Sequence, residues 1–300
     1  MQFDNVFIAL NPASGSSEPE EIRKLLEKLR QEQGWTDKIY EVNPDENLSD
    51  QVRAACKDGA NLVVAAGGDG TVAGVINGLI GSKVPVGILP AGTGNGLARA
   101  LGIPLELDKA VELLGRGFRL QPIDAMKVGD RYFVLNVSAG ISSRAMSETL
   151  PEEKKSLGML AYVRTIAEDL LDVKARRFNL TLDGHAVQVE AVEVLVANGE
   201  FVKEVPFPFG RPEYLYNGSF EVNIITASSV TEYVRLAAEL LLGAEEESDR
   251  RDLQVHKQVT IDVEGEPMPV QADGEELGYT PVTVELVREA LTVLVPEVGA

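Results

Sequence analysis

The 300-residue chain has one cysteine, Cys56, and two histidines, His185 and His256, so neither an internal disulfide nor a zinc cluster of thiolates and imidazoles can be assembled from it. Cys56 reads as a helix-packing residue. No apolar run approaches the roughly 20 residues that span a bilayer, and the opening MQFDNVFIALNP has neither a basic leader nor a long apolar core. A cytoplasmic protein, at most peripheral at a membrane, is expected. Basic residues are also scarce: 28 Lys and Arg against 47 Asp and Glu leave a formal charge of −19. Such a surface repels nucleic-acid phosphate and an anionic membrane alike, so no nucleic-acid partner is expected. Membrane contact, if made, is transient and needs a local basic patch, for which Arg176-Arg177 and Lys154-Lys155 are the visible pairs.

What is present is enough for two cores. Up to about residue 122, short apolar runs alternate with helical periodicity, the pattern of parallel strands joined by crossover helices. Strands are expected at Phe3 to Leu10, Ile39 to Val42, Asn61 to Ala66 and Val84 to Leu89. Between them, helices are marked by Pro19 with the stripe Ile22, Leu25, Leu26 and Leu29, by Leu48 to Lys57, and by Val72, Val75, Ile76 and Leu79. From residue 123 to 300 the texture changes to alternating β-branched and polar residues punctuated by Asp183-Gly184, Asn217-Gly218 and Asp273-Gly274. That half reads as mainly antiparallel, interrupted by a helix bearing Met159 to Leu170 and another near Thr231 to Leu242. The last apolar run, Leu291 to Val295, either closes this half or returns to the first.

In an open α/β sheet, ligands bind beyond the carboxyl ends of the strands. Three loops fall there: Asn11-Pro12-Ala13-Ser14-Gly15, Gly67-Gly68-Asp69-Gly70-Thr71 and Gly92-Thr93-Gly94-Asn95. Without a Cβ, their glycines let backbone N–H groups approach phosphate oxygens, and Ser14, Thr71 and Thr93 add hydroxyl donors. One glycine after a strand is ordinarily a tight turn; three such loops at one sheet end suit a polyphosphate. The first loop is the weakest of them, because Glu18, Glu20 and Glu21 already complement the dipole of the helix behind it. Neither G-x-x-x-x-G-K-[ST] nor G-x-G-x-x-G leading into a helix occurs, so the P-loop and Rossmann readings lack their key residues. Asp69, a carboxylate inside a glycine loop, would oppose bound phosphate unless a cation lay between, which points to Mg²⁺.

Gly67-Gly68-Asp69-Gly70-Thr71, Pro90-Ala91-Gly92-Thr93-Gly94-Asn95 and Asn11-Pro12-Ala13-Ser14-Gly15 together resemble, in order and spacing, the catalytic family of diacylglycerol kinases and sphingosine kinases. Leu97-Ala98-Arg99, Leu101-Gly102-Ile103-Pro104, Ile123-Asp124, the Phe133 to Gly140 strand and Asp273-Gly274-Glu275 extend the resemblance over essentially the whole chain. The GGDGT segment also fits NAD kinases and, less well, phosphofructokinases, but the Asn-Glu pair and threonine-rich substrate segment of NAD kinases are not found. The resemblance implies an ATP site across the three loops, a β-sandwich second domain, and a lipid presented in the cleft between them. It further implies that Glu275 is the general base, with Asp273 beside it in the catalytic motif, and that Asp69 holds the nucleotide's Mg²⁺. A carboxylate near the attacking oxygen takes its proton as the phosphoryl group transfers, and the cation and backbone donors stabilise the spreading charge.

Two positions depart from the family pattern. Many bacterial members have aspartate where this chain has Gly96, and aspartate where it has Asn217, the latter ligating a structural magnesium. A neutral Asn217 should hold Mg²⁺ much more weakly, so the expectation is a single, nucleotide-bound magnesium, with Asp124 making other contacts. Two alternatives stand beside the lipid kinase: a kinase of a soluble metabolite on the same ATP domain, and a nucleotide-binding regulator without turnover. The lipid itself and the oligomeric state are open, a homodimer included. The apolar segment Val205-Pro206-Phe207-Pro208-Phe209 suits a lipid cleft, an interface or ordinary packing.

Overall fold

The computed structural model describes residues 3–14, 19–143, 175–198, 215–226 and 250–297. The expected helices at Met159 to Leu170 and Thr231 to Leu242, together with Gly15, Lys154-Lys155 and residues 205–209, lie outside the described residues. By contacts the chain divides into two units. The first holds the residues up to Ala125, then Leu215 and Tyr216, and the tail from Arg288; the second holds the described remainder between Met126 and Val287.

The first unit alternates strands and helices: β1 (Asn5–Leu10), α1 (Pro19–Gln33), β2 (Thr36–Glu41), α2 (Leu48–Lys57), β3 (Leu62–Gly67), α3 (Asp69–Leu79) and β4 (Val86–Pro90), followed by α4 (Gly96–Ala100) and α5 (Leu107–Gly115). The strands pair in parallel in the order β2-β1-β3-β4, with Ile8 opposite both Ile39 and Val64. The direction of winding reverses between β1 and β3, which makes the carboxyl ends of those two strands the switch point where α/β sheets bind ligands. β3 is buried along its whole length, so it reads as a continuous apolar run rather than an alternating one. On one face Ile8, Leu10, Val64 and Leu89 pack with Ile22, Leu26 and Leu29 of α1 and with Ala110 and Leu114 of α5. Local signals set the helix ends: Asn47 caps α2 by accepting from Ser49 N and Asp50 N, and α1 stops at Gly34, whose φ of 72° suits glycine.

The chain continues as β5 (Phe118–Val128), β6 (Arg131–Phe133), β7 (Asn136–Gly140), β8 (Arg176–Leu182), β9 (His185–Ala191), β10 (Glu193–Asn198), β11 (Phe220–Ile225), β12 (Arg250–Val255), β13 (Gln258–Val263), β14 (Pro269–Ala272), β15 (Glu275–Tyr279) and β16 (Val282–Pro296). In the second unit the order β12-β11-β10-β7-β14-β15 forms one antiparallel sheet, and β13 pairs antiparallel with β8 and with the first part of β16. Phe220, Val222, Val194, Val137 and Val270 of the first sheet pack with Phe178, Leu180, Val259, Ile261 and Val284 of the other strands in one apolar core. From Arg288 onward β16 belongs to the first unit, where Val293 lies parallel to Val86 of β4.

Several elements differ from the sequence expectation for physical reasons. β2 begins at Thr36 rather than Ile39, because an edge strand pairs on one side only and needs no apolar residue at its start. The expected strand from Phe133 to Gly140 is broken at Val134 and Leu135, whose amides turn to the Asp273 carboxylate instead of a neighbouring strand. Asp183-Gly184 and Asp273-Gly274 close two-residue hairpins with both φ values positive, as a type I′ turn demands. Asn217-Gly218 does not join two strands: Asn217 Oδ1 accepts from Ser219 N at 3.0 Å and Ser219 Oγ at 2.9 Å, a side-chain turn leading into β11. Helices α4 and α5 have no counterpart in the sequence reading.

Candidate active site

In the first unit the loops after β1, β3 and β4 are stitched together by side chains. Asn11 Nδ2 donates to Thr71 Oγ1 at 3.0 Å, while Asn11 Oδ1 accepts from Ala13 N at 3.0 Å and Ser14 Oγ donates to Asn11 O at 2.7 Å. Asp69, the first residue of α3, accepts from Asn95 N at 2.9 Å on one oxygen and from Gly96 N at 2.7 Å on the other. Asn95 sits in the left-handed region, with φ 52° and ψ 45°, and clasps its own loop: its Oδ1 accepts from Gly92 N at 3.0 Å and its Nδ2 donates to Gly92 O at 2.7 Å. Arg99 Nε donates to Gly94 O at 2.9 Å, a support that no sequence motif announced as such. Thr93 is exposed and Thr71 is buried.

The glycines of these loops divide into two kinds. A Cβ on Gly92 would lie 2.4 Å from the Cα of Gly68, and one on Gly67 would lie 2.4 Å from Thr71 Oγ1. On Gly94 it would meet Asp69 Oδ2 at 2.6 Å. The close approach of the loops thus accounts for Gly68, Gly92 and Gly94, and the Thr71 side chain packed on its own segment accounts for Gly67. Gly70 is different: it is exposed in the first turn of α3, its φ is not positive, and a Cβ there would meet nothing within 4 Å. Alanine is the better helix former by about 1 kcal/mol, so the fold itself gives no reason for glycine at this place. Among the described residues the amides of Asp69 and Gly70 have no hydrogen-bond partner, and the Gly68 cap supplies no side chain to them.

In the second unit, Asp273, in the β14–β15 turn, and Glu275, the first residue of β15, do different work. Asp273 accepts from Val134 N at 2.8 Å, Leu135 N at 3.0 Å and Asn136 N at 2.9 Å. Its backbone at the turn keeps some exposure, but the carboxyl is enclosed. Burial pushes its pKa up to about 6 against the three amides, and the neighbouring Glu275 pushes the same way. Glu275 is partly exposed and forms an ion pair with Arg131 Nη2, a partner 144 residues away that nothing in the local sequence signals. Arg131 in turn lies with its Cζ 5.0 Å from the centroid of the Phe133 ring.

The pair in Asp183-Gly184 repeats the Asp273 arrangement. Asp183, with φ 49°, accepts from His256 N, Lys257 N and Gln258 N and donates its own N–H to Gln258 O, just as Asp273 N donates to Asn136 O. Each aspartate therefore fastens a hairpin turn to the entry of the adjacent strand.

Asp124 is buried, and one of its oxygens accepts from Glu289 N at 2.8 Å. Glu289 has a positive φ of 47° within β16 and accepts from Tyr216 OH at 3.0 Å, a bond that raises the tyrosine's pKa. Neither Tyr216 nor Glu289 stood out in the sequence. Ser219 N and Ser219 Oγ both donate to Asn217 Oδ1, so in this arrangement that side-chain oxygen has no lone pair left for a cation. Among the described residues no three His, Cys, Asp or Glu side chains gather closely enough to hold a metal by themselves. Arg176 donates to the carbonyls of Glu264 and Glu266, and Arg177 pairs with the carboxylates of Glu264 and Glu190, so this basic pair is matched by acids within its own unit.

A parallel unit with glycine loops at its switch point and a mainly antiparallel, sandwich-type unit make up the two-part fold. Residues 5–128 match the family described as diacylglycerol kinase catalytic domain, and residues 135–295 match the YegS C-terminal NAD kinase beta sandwich-like domain. A diacylglycerol kinase of Bacillus subtilis (strain 168) is 29% identical over 283 residues, covering 91% of this chain and 90% of that protein. Among solved structures, a diacylglycerol kinase from Bacillus anthracis str. Sterne aligns with a TM-score of 0.79 at 22% identity, covering 99% of both chains. An NAD kinase from Archaeoglobus fulgidus, solved in complex with ATP, shares the fold more distantly, with a TM-score of 0.51 at 13% identity over 98% of this chain and 93% of that one. The chain belongs to the diacylglycerol kinase-like family of lipid kinases. It is accordingly an ATP-dependent kinase acting on an alcohol group.

Proposed function

We propose that the protein transfers the γ-phosphate of ATP to a hydroxyl group of diacylglycerol or a closely related lipid. The observation that carries the phosphate site is Gly70: a glycine that packing does not need, beside two amides with no described partner at the positive end of an eleven-residue helix. Such an end attracts phosphate oxygens, and a bare Cα lets them come close. Asn11, Asp69 and Asn95 hold the three loops in one arrangement before any ligand arrives, which limits reorganisation on binding.

Asp69 is the loop residue that fits a nucleotide-bound Mg²⁺, because each of its oxygens has accepted one amide and retains a lone pair. When bound, Mg²⁺ neutralises charge on the phosphates. A second, structural cation at Asn217 is not part of this reading; a well-coordinated Mg²⁺ there in a crystal soaked with the ion would overturn that exclusion. Glu275 is the proposed base. As the lipid oxygen bonds to the γ-phosphorus, the bond from that phosphorus to the β–γ bridging oxygen breaks, ADP leaves with the electron pair, and the hydroxyl proton passes to the Glu275 carboxylate. Asp273, enclosed by three amides, fixes the hairpin that carries Glu275 and does not itself exchange protons with the acceptor. Diacylglycerol is favoured as acceptor by the relative from Bacillus subtilis, which carries that name and aligns over 91% of this chain. We further propose that the lipid is met by transient contact with a membrane surface.

The test is ATP-dependent phosphate transfer to a panel of hydroxylated lipids in mixed micelles, comparing the wild type with Asp69→Ala and Glu275→Ala. Turnover of diacylglycerol, reduced by about 100-fold or more in both variants, is the expected result. ATP binding without transfer to any lipid would overturn the reading in favour of a soluble acceptor.

A further inference from the structure

Glu275 opens β15 on a hairpin whose backbone is fixed by Asp273, but a backbone anchor does not orient a side chain with three rotatable bonds. That orientation comes from Arg131. Its Nη2 engages Glu275 Oε2 and its guanidinium rests over the Phe133 ring, itself buried in the core of the second unit. Arg131 and Phe133 sit on the three-residue strand β6, so the aromatic shelf and the guanidinium are presented from one short, paired segment, with Phe133 opposite Met126 and Arg131 opposite Val128.

Stability does not explain this pair. The two side chains are 47% and 37% exposed, and an ion pair this open contributes little to folding. A guanidinium stacked on a ring is held rigidly, and here one of its nitrogens, Nη2, takes Glu275 Oε2 and leaves Oε1 unengaged. An acid that must receive a proton from a substrate gains from that division of labour, as any base gains when a third group orients it.

We propose that Arg131 is a positioning residue for phosphoryl transfer: it holds Glu275 Oε2 so that Oε1 faces the acceptor hydroxyl, and Phe133 holds Arg131. This rests on the reading of Glu275 as the base. Asp273, in the hairpin turn, and Arg131, on β6, then fix the backbone and the side chain of the same residue.

The experiment uses the full chain, with the lipid that turns over fastest in the panel described above. Arg131→Ala should lower kcat by about 10- to 100-fold while the KM for ATP stays within about twofold and the melting temperature is nearly unchanged. Guanidinium ion at low millimolar concentration should restore part of the lost rate to Arg131→Ala and none to Glu275→Gln. Arg131→Lys, a point charge without the fork, should fall between. If Arg131→Ala turns over within about twofold of wild type while Glu275→Gln is inactive, the positioning role is wrong and the base reading stands. A rate loss accompanied by a large drop in melting temperature and no guanidinium rescue would make Arg131 structural and equally overturn the proposal. Should Glu275→Gln keep the wild-type rate, or no lipid turn over at all, the base reading falls and the role of Arg131 falls with it.

Discussion

Gly70, in the first turn of α3, and Gly92, in the loop after β4, belong to neighbouring glycine-rich segments, yet an added methyl group would have opposite consequences at the two positions. On Gly92 it would press on the Gly68 backbone at 2.4 Å, where nothing flexible can yield. Gly92→Ala should therefore destabilise the protein by about 1–3 kcal/mol, seen as a lower melting temperature, and weaken nucleotide binding indirectly by parting the loops. Gly70→Ala meets open space and should leave the melting temperature equal or slightly higher, while lowering ATP affinity about tenfold or more in a calorimetric titration. Wild-type affinity in Gly70→Ala would mean that the phosphates lie elsewhere. At this scale the sequence was informative about which residues gather and uninformative about why. Asn11, Asp69 and Asn95 stand in recognisable loops, but their mutual bonds link positions 60 and 26 residues apart in the chain, and no local pattern encodes those distances. Arg131 was invisible for the same reason, its partner being 144 residues away.

Hairpins show how one device can act with opposite electrostatic sign. Asp183 and Asp273 each cap three successive amides from a left-handed turn position, yet the pKa of Asp183 is lowered and that of Asp273 is raised to about 6. For Asp183, partial burial works upward and the amides of His256, Gln258 and Lys257 outweigh it; for Asp273, burial is complete and wins. An acid with a native pKa above its unfolded value binds more protons when folded, so its contribution is fully present below about pH 4 and is lost as pH rises to about 6. The loss is on the order of 3 kcal/mol from the ordinary value of 3.8 to about 6. Asp273→Asn has one side-chain oxygen for the three amides and should be less stable than wild type near pH 4, with a stability gap that narrows by pH 7, measured by urea unfolding at several pH values. A gap that widens with pH would show that the three amides, not burial, control the group. Element boundaries were legible where periodicity was strong, as in α1 to α3. They failed where a side chain competes for backbone: Val134 and Leu135 look like strand interior, and only the Asp273 carboxylate, 138 residues from Leu135, removes them from it.

For the molecule as a whole, composition indicated two halves of different texture, and the structure adds that the ends of the chain meet in one of them. Ala290, Leu291, Val293, Leu294 and Val295 are buried, and Val293 lies beside Val86 in the parallel sheet of the first unit. Deleting the chain from Arg288 onward should expose β4 and the core beneath it. The expected result is loss of ATP binding together with rapid cleavage in limited proteolysis, even though every glycine loop remains in the truncated chain; retained ATP affinity would show that the tail is dispensable to the nucleotide unit. The same feature sets a timetable for synthesis. A ribosome delivers β1 to β4 early, but the strand that completes their sheet emerges roughly 200 residues later, a wait of about 10–40 s at ordinary elongation rates. The part of this enzyme that is made first is the part that is finished last, and during that interval the edge beside Val86 stands without the strand that pairs with it in the native sheet.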